Sequence, residues 1–297
     1  MSVAVQNNVS PRAVGLVCAS ALLWGLYWIP VRALESFGVS GVWTALLFAV
    51  SGLLASIPLL AWGRAGKIGW PHIAGALIIG SAFTLYAIAL TYTEIVRVVL
   101  LFYLAPAWST IIECLFYKRV FTLKSLLGLF LSFLGIVIIF KGELPLDGLG
   151  ALGDWMAFAA GLCWSIGSAL MFSSNKISVP AMTTLSYVGA ALVSVVCLVF
   201  LGEPISEGLA LINEHWRPLL LVCALLAVFY LAPVTAITLW GATVIPPAMM
   251  SFLLTIEVIA AVLSSAVLLG EPFGLIEFAG TLLIIAGALT EVIKNRV

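Results

Sequence analysis

A carboxyl group within an apolar segment is costly unless it is paired, hydrogen-bonded or protonated, so such a residue marks a site. Glu257 is of this kind, set inside the run Met249-Met-Ser-Phe-Leu-Leu-Thr-Ile-Glu257-Val-Ile-Ala-Ala. It can hold a substrate ammonium, exchange a proton, or serve as a structural hydrogen-bond acceptor, and the sequence leaves all three open. Glu94 and Arg97 are three apart at the start of an apolar run, a spacing that lets them pair at an outer loop or line its mouth. Glu113, four residues before Tyr117, is expected to anchor a cytoplasmic interface.

Aromatic residues are the second chemical signal. Of ten Trp, five (Trp43, Trp62, Trp70, Trp155 and Trp216) lie near the ends of apolar runs, where interfacial belts form. Trp24, Trp28, Trp108, Trp164 and Trp240 lie inside such runs, as do Tyr27, Tyr86, Tyr103 and Tyr230. An indole N–H or a phenol hydroxyl finds no partner in lipid, so these groups are expected to face an interior or a wet cavity. The four-residue spacing of Trp24 and Trp28 puts them on one helix face. Together the aromatics suit an amphipathic solute with an apolar body, and their ring faces suit an ammonium. The expected substrate-binding set is Trp24, Trp28, Tyr86, Tyr103, Trp108, Trp164, Trp240 and Glu257. Each aromatic taken singly is equally compatible with core packing.

Prolines at Pro30, Pro106, Pro233 and Pro246 interrupt or start apolar runs and are the expected hinges. Other chemistries find no support. His72 and His215 sit near breaks between runs, and the five cysteines are odd in number, form no Cys-x-x-Cys pair and read as packing residues. No Walker A, GxSxG or HExxH sequence occurs. No metal and no cofactor are expected.

The elements that must position these residues follow from composition. Of 297 residues, 63% are hydrophobic and 9% charged, against about 25% charged in soluble domains. A soluble fold is excluded, because its exterior must face water. With 13 basic and 13 acidic side chains there is no cationic surplus for nucleic acid. Runs of spanning length fall at about 12–33, 42–62, 71–92, 96–117, 122–140, 151–173, 180–201, 217–241, 246–269 and 274–293. They lack the alternation of a β-barrel, so the expected class is all-α integral membrane with ten transmembrane helices. The polar, uncharged start, Met1 to Ser10, is not a signal peptide by pattern. With the N-terminus in the cytoplasm, nine of the 13 basic residues fall inside, and Arg32, Arg97, Lys141 and Arg217 fall outside. That asymmetry places both termini in the cytoplasm, in an inner membrane.

The chain also resembles itself at an offset of 152 residues. Arg119, Gly128 and Gly135 fall on Glu271, Gly280 and Gly287, and Thr91 falls on Thr243. Trp24 and Trp164 begin similar segments at an offset of 140. The halves, 1–147 and 148–297, hold five helices each, and an odd number inverts the second half relative to the first. Inverted repeats are the architecture of secondary transporters with a midplane site. The glycine pairs, each seven residues apart, are expected to bring the fifth and tenth helices into close contact.

At these residues the chain resembles the drug/metabolite transporter superfamily in its EamA-type branch. The resemblance rests on Leu268-Leu-Gly-Glu271-Pro272 followed by Gly280 and Gly287, and it covers the whole chain. The chain departs from the family's usual Glu-Pro pairs, with Ala105 before Pro106 and Val258 after Glu257, and it has Lys118-Arg119 where the first repeat often has Gly-Glu. Within the branch its aromatic content is similar to the YddG-type amino acid exporters. The resemblance implies a multi-pass secondary transporter, not an enzyme, whose partners are the bilayer and a small-molecule substrate, and the internal repeat, by which one chain can complete a pathway, makes a monomer the expectation. Amino acids, aromatic and other apolar ones, or similar small amphipathic metabolites are the expected cargo. Lipophilic-cation (multidrug) export is the alternative. An intramembrane lipid-modifying enzyme is the alternative from another class, though Glu257 stands alone where it would need several converging polar groups.

Overall fold

The computed structural model describes residues 9–39, 41–62, 68–93, 98, 101–118, 120, 122–139, 152–172, 178–202, 204–269 and 274–294. These residues form helices and no strands. In chain order they are α1 (Pro11–Trp24), α2 (Trp28–Glu35), α3 (Val42–Trp62), α4 (Trp70–Tyr92), α5 (Ala105–Phe116), α6 (Leu123–Ile139), α7 (Leu152–Met171), α8 (Val179–Phe200) and α9 (Ile205–Glu214). There follow α10 (Trp216–Leu226), a π-helical turn (Ala227–Leu231), α11 (Ala232–Val244), α12 (Pro247–Leu254), α13 (Glu257–Leu269) and α14 (Leu275–Lys294). Six stretches among the described residues are long and apolar enough to cross a bilayer: 11–35, 42–61, 70–92, 179–200, 216–244 and 247–268. Glu94 and Arg97 lie outside the described residues.

The starts of these helices are written locally. Ser10 caps α1, its Oγ accepting from the Ala13 N–H at 3.2 Å. Proline occupies the first turn of α1, α4, α5, α8 and α12, where its missing N–H leaves no bond unmade.

Solvation by lipid turns the usual polarity inside out. Leu115, Phe116, Phe130, Phe200, Phe229 and Leu275 are exposed, whereas Ser20, Thr84, Ser109, Ser165, Ser186 and Thr235 are buried. Lipid tails are as apolar as Leu, so burying aliphatic surface drives no association, and small residues let helices approach closely instead. Where Gly287 stands on α14, a Cβ would collide with Ser132 and meet the Gly128 carbonyl at 2.8 Å on α6. The expected glycine contact is therefore present. α4 lies against α7 and α8, α3 against α8, α1 against α11 and α13, and α5 against α7 and α12.

Several stretches expected as continuous helices are interrupted, and two of these interruptions meet in space. Between α1 and α2 the backbone tightens to i→i+3 bonds, Leu26 N–H to Leu23 O and Tyr27 N–H to Trp24 O, both 2.9 Å. Between α12 and α13 the same happens at Thr255, whose N–H reaches Phe252 O at 3.2 Å. The two interruptions touch: Gly25 packs on the Glu257 carbonyl, so closely that no side chain fits there. A third irregularity, the π turn, supplies Tyr230, whose hydroxyl donates to Leu23 O at 2.6 Å. The expected hinge prolines sit beside such breaks. Pro30 lies in the first turn of α2, Pro106 in that of α5 after the turn at 103–104, Pro233 just past the π turn, and Pro246 at the N-cap of α12.

Candidate functional site

These irregular segments surround a cavity of about 840 Å³, counting its open mouth. The break after α1 contributes Trp24 and Tyr27, α3 Phe48, α4 Phe83 and Tyr86, and α7 Trp164. Tyr187 comes from α8, Thr238 from α11 and Glu257 from the first turn of α13. The ring of Trp24 stacks on Phe83, with centroids 5.1 Å apart, and its Nε1 donates to Thr238 Oγ1 at 2.9 Å. Tyr86 meets Phe102 edge-on at 4.8 Å. Trp164 is 2% exposed and donates from Nε1 to Ser251 Oγ at 3.2 Å. Tyr187 and Thr235 share a hydroxyl–hydroxyl bond of 2.8 Å. The polar tips of Trp24, Trp164 and Tyr187 are thus each held by a bond to another helix. Such rigid apolar walls with a few placed polar groups are what a small-molecule site requires.

Glu257 is the one carboxyl group on the described lining, and no Lys, Arg or His joins it there. The cavity therefore carries a negative or protonatable point in an apolar, aromatic surround. It is electrostatically suited to a cation, because the nearest compensating charge must arrive with the ligand.

Of the expected binding set, the structure brings together Trp24, Tyr86, Trp164 and Glu257. It places four others elsewhere. Trp28 points away and donates to Ser264 Oγ at 3.0 Å on α13. The shared face expected for Trp24 and Trp28 does not exist, because the tightened turn at Gly25–Tyr27 rotates α2 relative to α1. Trp108 packs edge-on against Phe158 at 5.5 Å, outside the cavity. Trp240 packs against the buried cluster of Val17, Leu239 and Met250. Tyr103 lines a separate, apolar cavity with Leu129, Phe133 and Ile136. Residues missed in the sequence are Phe48, Phe83, Phe102, Tyr187 and Thr238. Phe83 was within reach, since it lies three residues before Tyr86 and shares its face.

Glu113 turns inward, between helices. It is 2% exposed, and its Oε1 accepts from the Ala248 N–H of α12 at 2.8 Å. It satisfies one of the donors that the first turn of any helix leaves open. The neighbouring Ser109–Ser251 bond, 2.8 Å, ties the same two helices. Glu113→Ala is expected to lower the melting temperature by several degrees, since an unsatisfied buried donor costs about 1–3 kcal/mol. Glu113→Gln, which keeps an acceptor oxygen, should lose less than half as much. Thermal unfolding of the purified variants checks the ordering.

The sequence profile described as the EamA-like transporter family matches over residues 11–141 and again over 151–291. A Bacillus subtilis (strain 168) protein named "Uncharacterized transporter YyaM" is 26% identical over 216 residues, covering 69% of this chain and 67% of its own length. A solved structure titled "Crystal structure of protein" superposes with a TM-score of 0.74 over 96% of this chain and 97% of that one, at 17% identity. At that identity the likeness speaks for the fold alone. The profile match spans nearly the whole of this membrane-helical chain, which thus belongs to the EamA-like transporter family.

Proposed function

We propose that the protein is a secondary exporter of amino acids, aromatic and other apolar ones foremost, or of similar small amphipathic metabolites. It works by alternating access between two inverted five-helix repeats, 1–147 and 148–297, in a ten-helix chain with both termini cytoplasmic, in an inner membrane. The observation that carries this reading is the aromatic cavity with a lone carboxyl group at the meeting point of interrupted helices. A substrate ammonium sits against Glu257, and its apolar side chain lies between Trp24, Phe83 and Trp164.

Several features support the arrangement. The family profile matches in two stretches of similar length. Helix contacts recur when the halves are exchanged: α4 on α7 has its counterpart in α11 on α1, and α5 on α7 in α12 and α13 on α1. Toward the end of the bundle that holds Pro11, the cavity floor is packed solid by Val17, Ala21, Ile79, Leu239, Met250 and Leu253. That floor is the closed gate, and the prolines beside the helix breaks are the hinges about which it opens.

In proteoliposomes, saturable counterflow of tritiated phenylalanine, competed by excess cold aromatic and branched amino acids, is expected. No counterflow for any amino acid overturns the amino acid assignment. One observation favours a second reading, export of lipophilic cations: no basic side chain on the described lining meets a substrate carboxylate. Expression in a drug-sensitive strain separates the two, since this reading predicts resistance to aromatic cations and the first does not.

A further inference from the structure

α6 lies along α14 but touches α5, its neighbour in sequence, in few places. The gap between α5 and α6 is a groove of about 590 Å³, counting its open side, lined by Tyr103, Pro106, Ala107, Leu129, Phe133 and Ile136 among others. Its open side is bounded by Phe133, which is 44% exposed. Phe133 continues a row of exposed residues, Leu126 and Phe130, whose spacing keeps all three on one face of α6. Its inner wall includes Ile136, which is 1% exposed.

The surrounding solvent decides what fills this groove. The lining is apolar but for three hydroxyls, and no charged side chain stands on its described part. Thr255 Oγ1 donates to Phe252 O at 2.7 Å, and Ser132 Oγ lies against Gly287 of α14. Tyr103 Oη remains, and one hydroxyl does not hold a water, which needs about two to four polar partners. An empty gap would forfeit dispersion contacts along its walls. Hydrocarbon is at hand, because the exposed row that leads to Phe133 is solvated by lipid chains. A seated chain would also bear on the substrate site. Phe102 and Leu254 line the substrate cavity, and the residues that follow them, Tyr103 and Thr255, line the groove. The first pair leads into α5, and the second enters the tightened break before Glu257. These two irregular segments are therefore the partition between groove and substrate cavity.

We propose that the groove between α5 and α6 binds one acyl chain of a bilayer lipid, and that the seated chain backs the partition against the substrate cavity, so that the lipid sets the rate of transport. The binding site stands on the geometry of the groove, and its effect on rate rests on the transport reading above. A straight chain suits a slot between two helices, whereas methyl branches broaden the chain and hinder its entry past Phe133. Lipid and substrate then press on the same two segments from opposite sides without meeting.

Two measurements on the full-length protein test this. The first needs no substrate. The protein is reconstituted in dioleoyl phosphatidylcholine containing a phosphatidylcholine with a diazirine in one acyl chain, and after irradiation the adducts are located by peptide mass spectrometry. Adducts are expected at Tyr103 and Ile136, which are buried from bulk lipid, as well as at exposed Phe130. Ala107→Phe, which places a ring in the groove, should lower labelling of Ile136 about tenfold and leave that of Phe130 unchanged. Ala107→Leu fills less, and preserves the comparison where the ring disturbs folding. Adducts confined to exposed residues overturn the site, and so does labelling of Ile136 that both fillings leave intact. The second measurement is counterflow of tritiated phenylalanine in dioleoyl and in methyl-branched diphytanoyl phosphatidylcholine. The wild type should be slower by about fivefold in the branched lipid, the low end of ordinary coupling between two sites. The filled variants should run alike in both lipids. Equal wild-type rates, or a lipid dependence that the filled variants retain, overturn the control of rate and leave the transport reading standing. Absence of all counterflow in either lipid overturns the transport of phenylalanine and the control of rate with it, and the adducts then decide the groove alone.

Discussion

Replacing Glu257 with Gln is expected to weaken exchange of any ammonium-bearing substrate by at least about a hundredfold while leaving the folded protein as stable as before. In the proposed site the substrate ammonium and the Glu257 carboxylate would form a largely desolvated pair. Removing one member of such a pair costs about 3–5 kcal/mol, and each 1.4 kcal/mol is a factor of ten in affinity. The effect on stability has a different origin. In the empty site Glu257 forms no ion pair among the described residues. Gln has the same shape, so it fills the same space without the cost of a buried charge. A purely structural Glu257 predicts the reverse, with the melting temperature falling and exchange scaling with the amount of folded protein. Counterflow and thermal unfolding on one preparation separate the two, and unchanged exchange in Glu257→Gln removes the carboxyl from the site. Glu257→Asp, one methylene shorter, should fall between the wild type and Gln.

The helices were legible in the sequence because a bilayer forces long apolar runs, and glycine, proline and charge mark where they stop. The seam of Gly128, Gly135, Gly280 and Gly287 was legible because a seven-residue spacing is two turns on one face. Glu257 was legible because apolar surroundings make a carboxyl conspicuous. The remainder was hidden for one reason: the composition of an apolar run does not disclose a local change of backbone winding. The tightened turn at Gly25–Tyr27 is what separates Trp24 from Trp28, and a single glycine in an apolar run does not announce such a turn. The π turn at Ala227–Leu231 leaves equally little trace, yet it directs Tyr230 to the Leu23 carbonyl. The partner of Glu113 was not legible because it is a backbone N–H, and which helix start comes within reach is settled by tertiary packing. The small helix α9 falls between two of the apolar runs. It is held by Gly208, which lies directly on the Trp43 ring, a contact no local pattern announces.

Gly287→Leu is expected to abolish the folded protein, and Gly287→Ala to weaken it. The groups a Cβ would meet there are Ser132 Oγ, the Gly128 carbonyl at 2.8 Å and the Ser132 backbone N at 2.9 Å. Two of the three are backbone, which cannot swing aside, so α6 and α14 must separate. In water, such separation would be opposed by the exposure of apolar surface. In lipid that opposition is missing, and close van der Waals contact is what keeps the helices together. Overpacking by one methyl costs about 1–3 kcal/mol, and a branched chain of four carbons exceeds what a protein of about 5–15 kcal/mol stability absorbs. Size-exclusion profiles from detergent should show a weakened monodisperse peak for Ala and none for Leu. The third contact supplies an internal control. Ser132→Gly removes the hydroxyl that blocks the methyl, so Gly287→Ala combined with Ser132→Gly should regain part of the loss, a coupling that sites without contact do not show. Equal losses with and without Ser132→Gly place the strain in the backbone contacts alone.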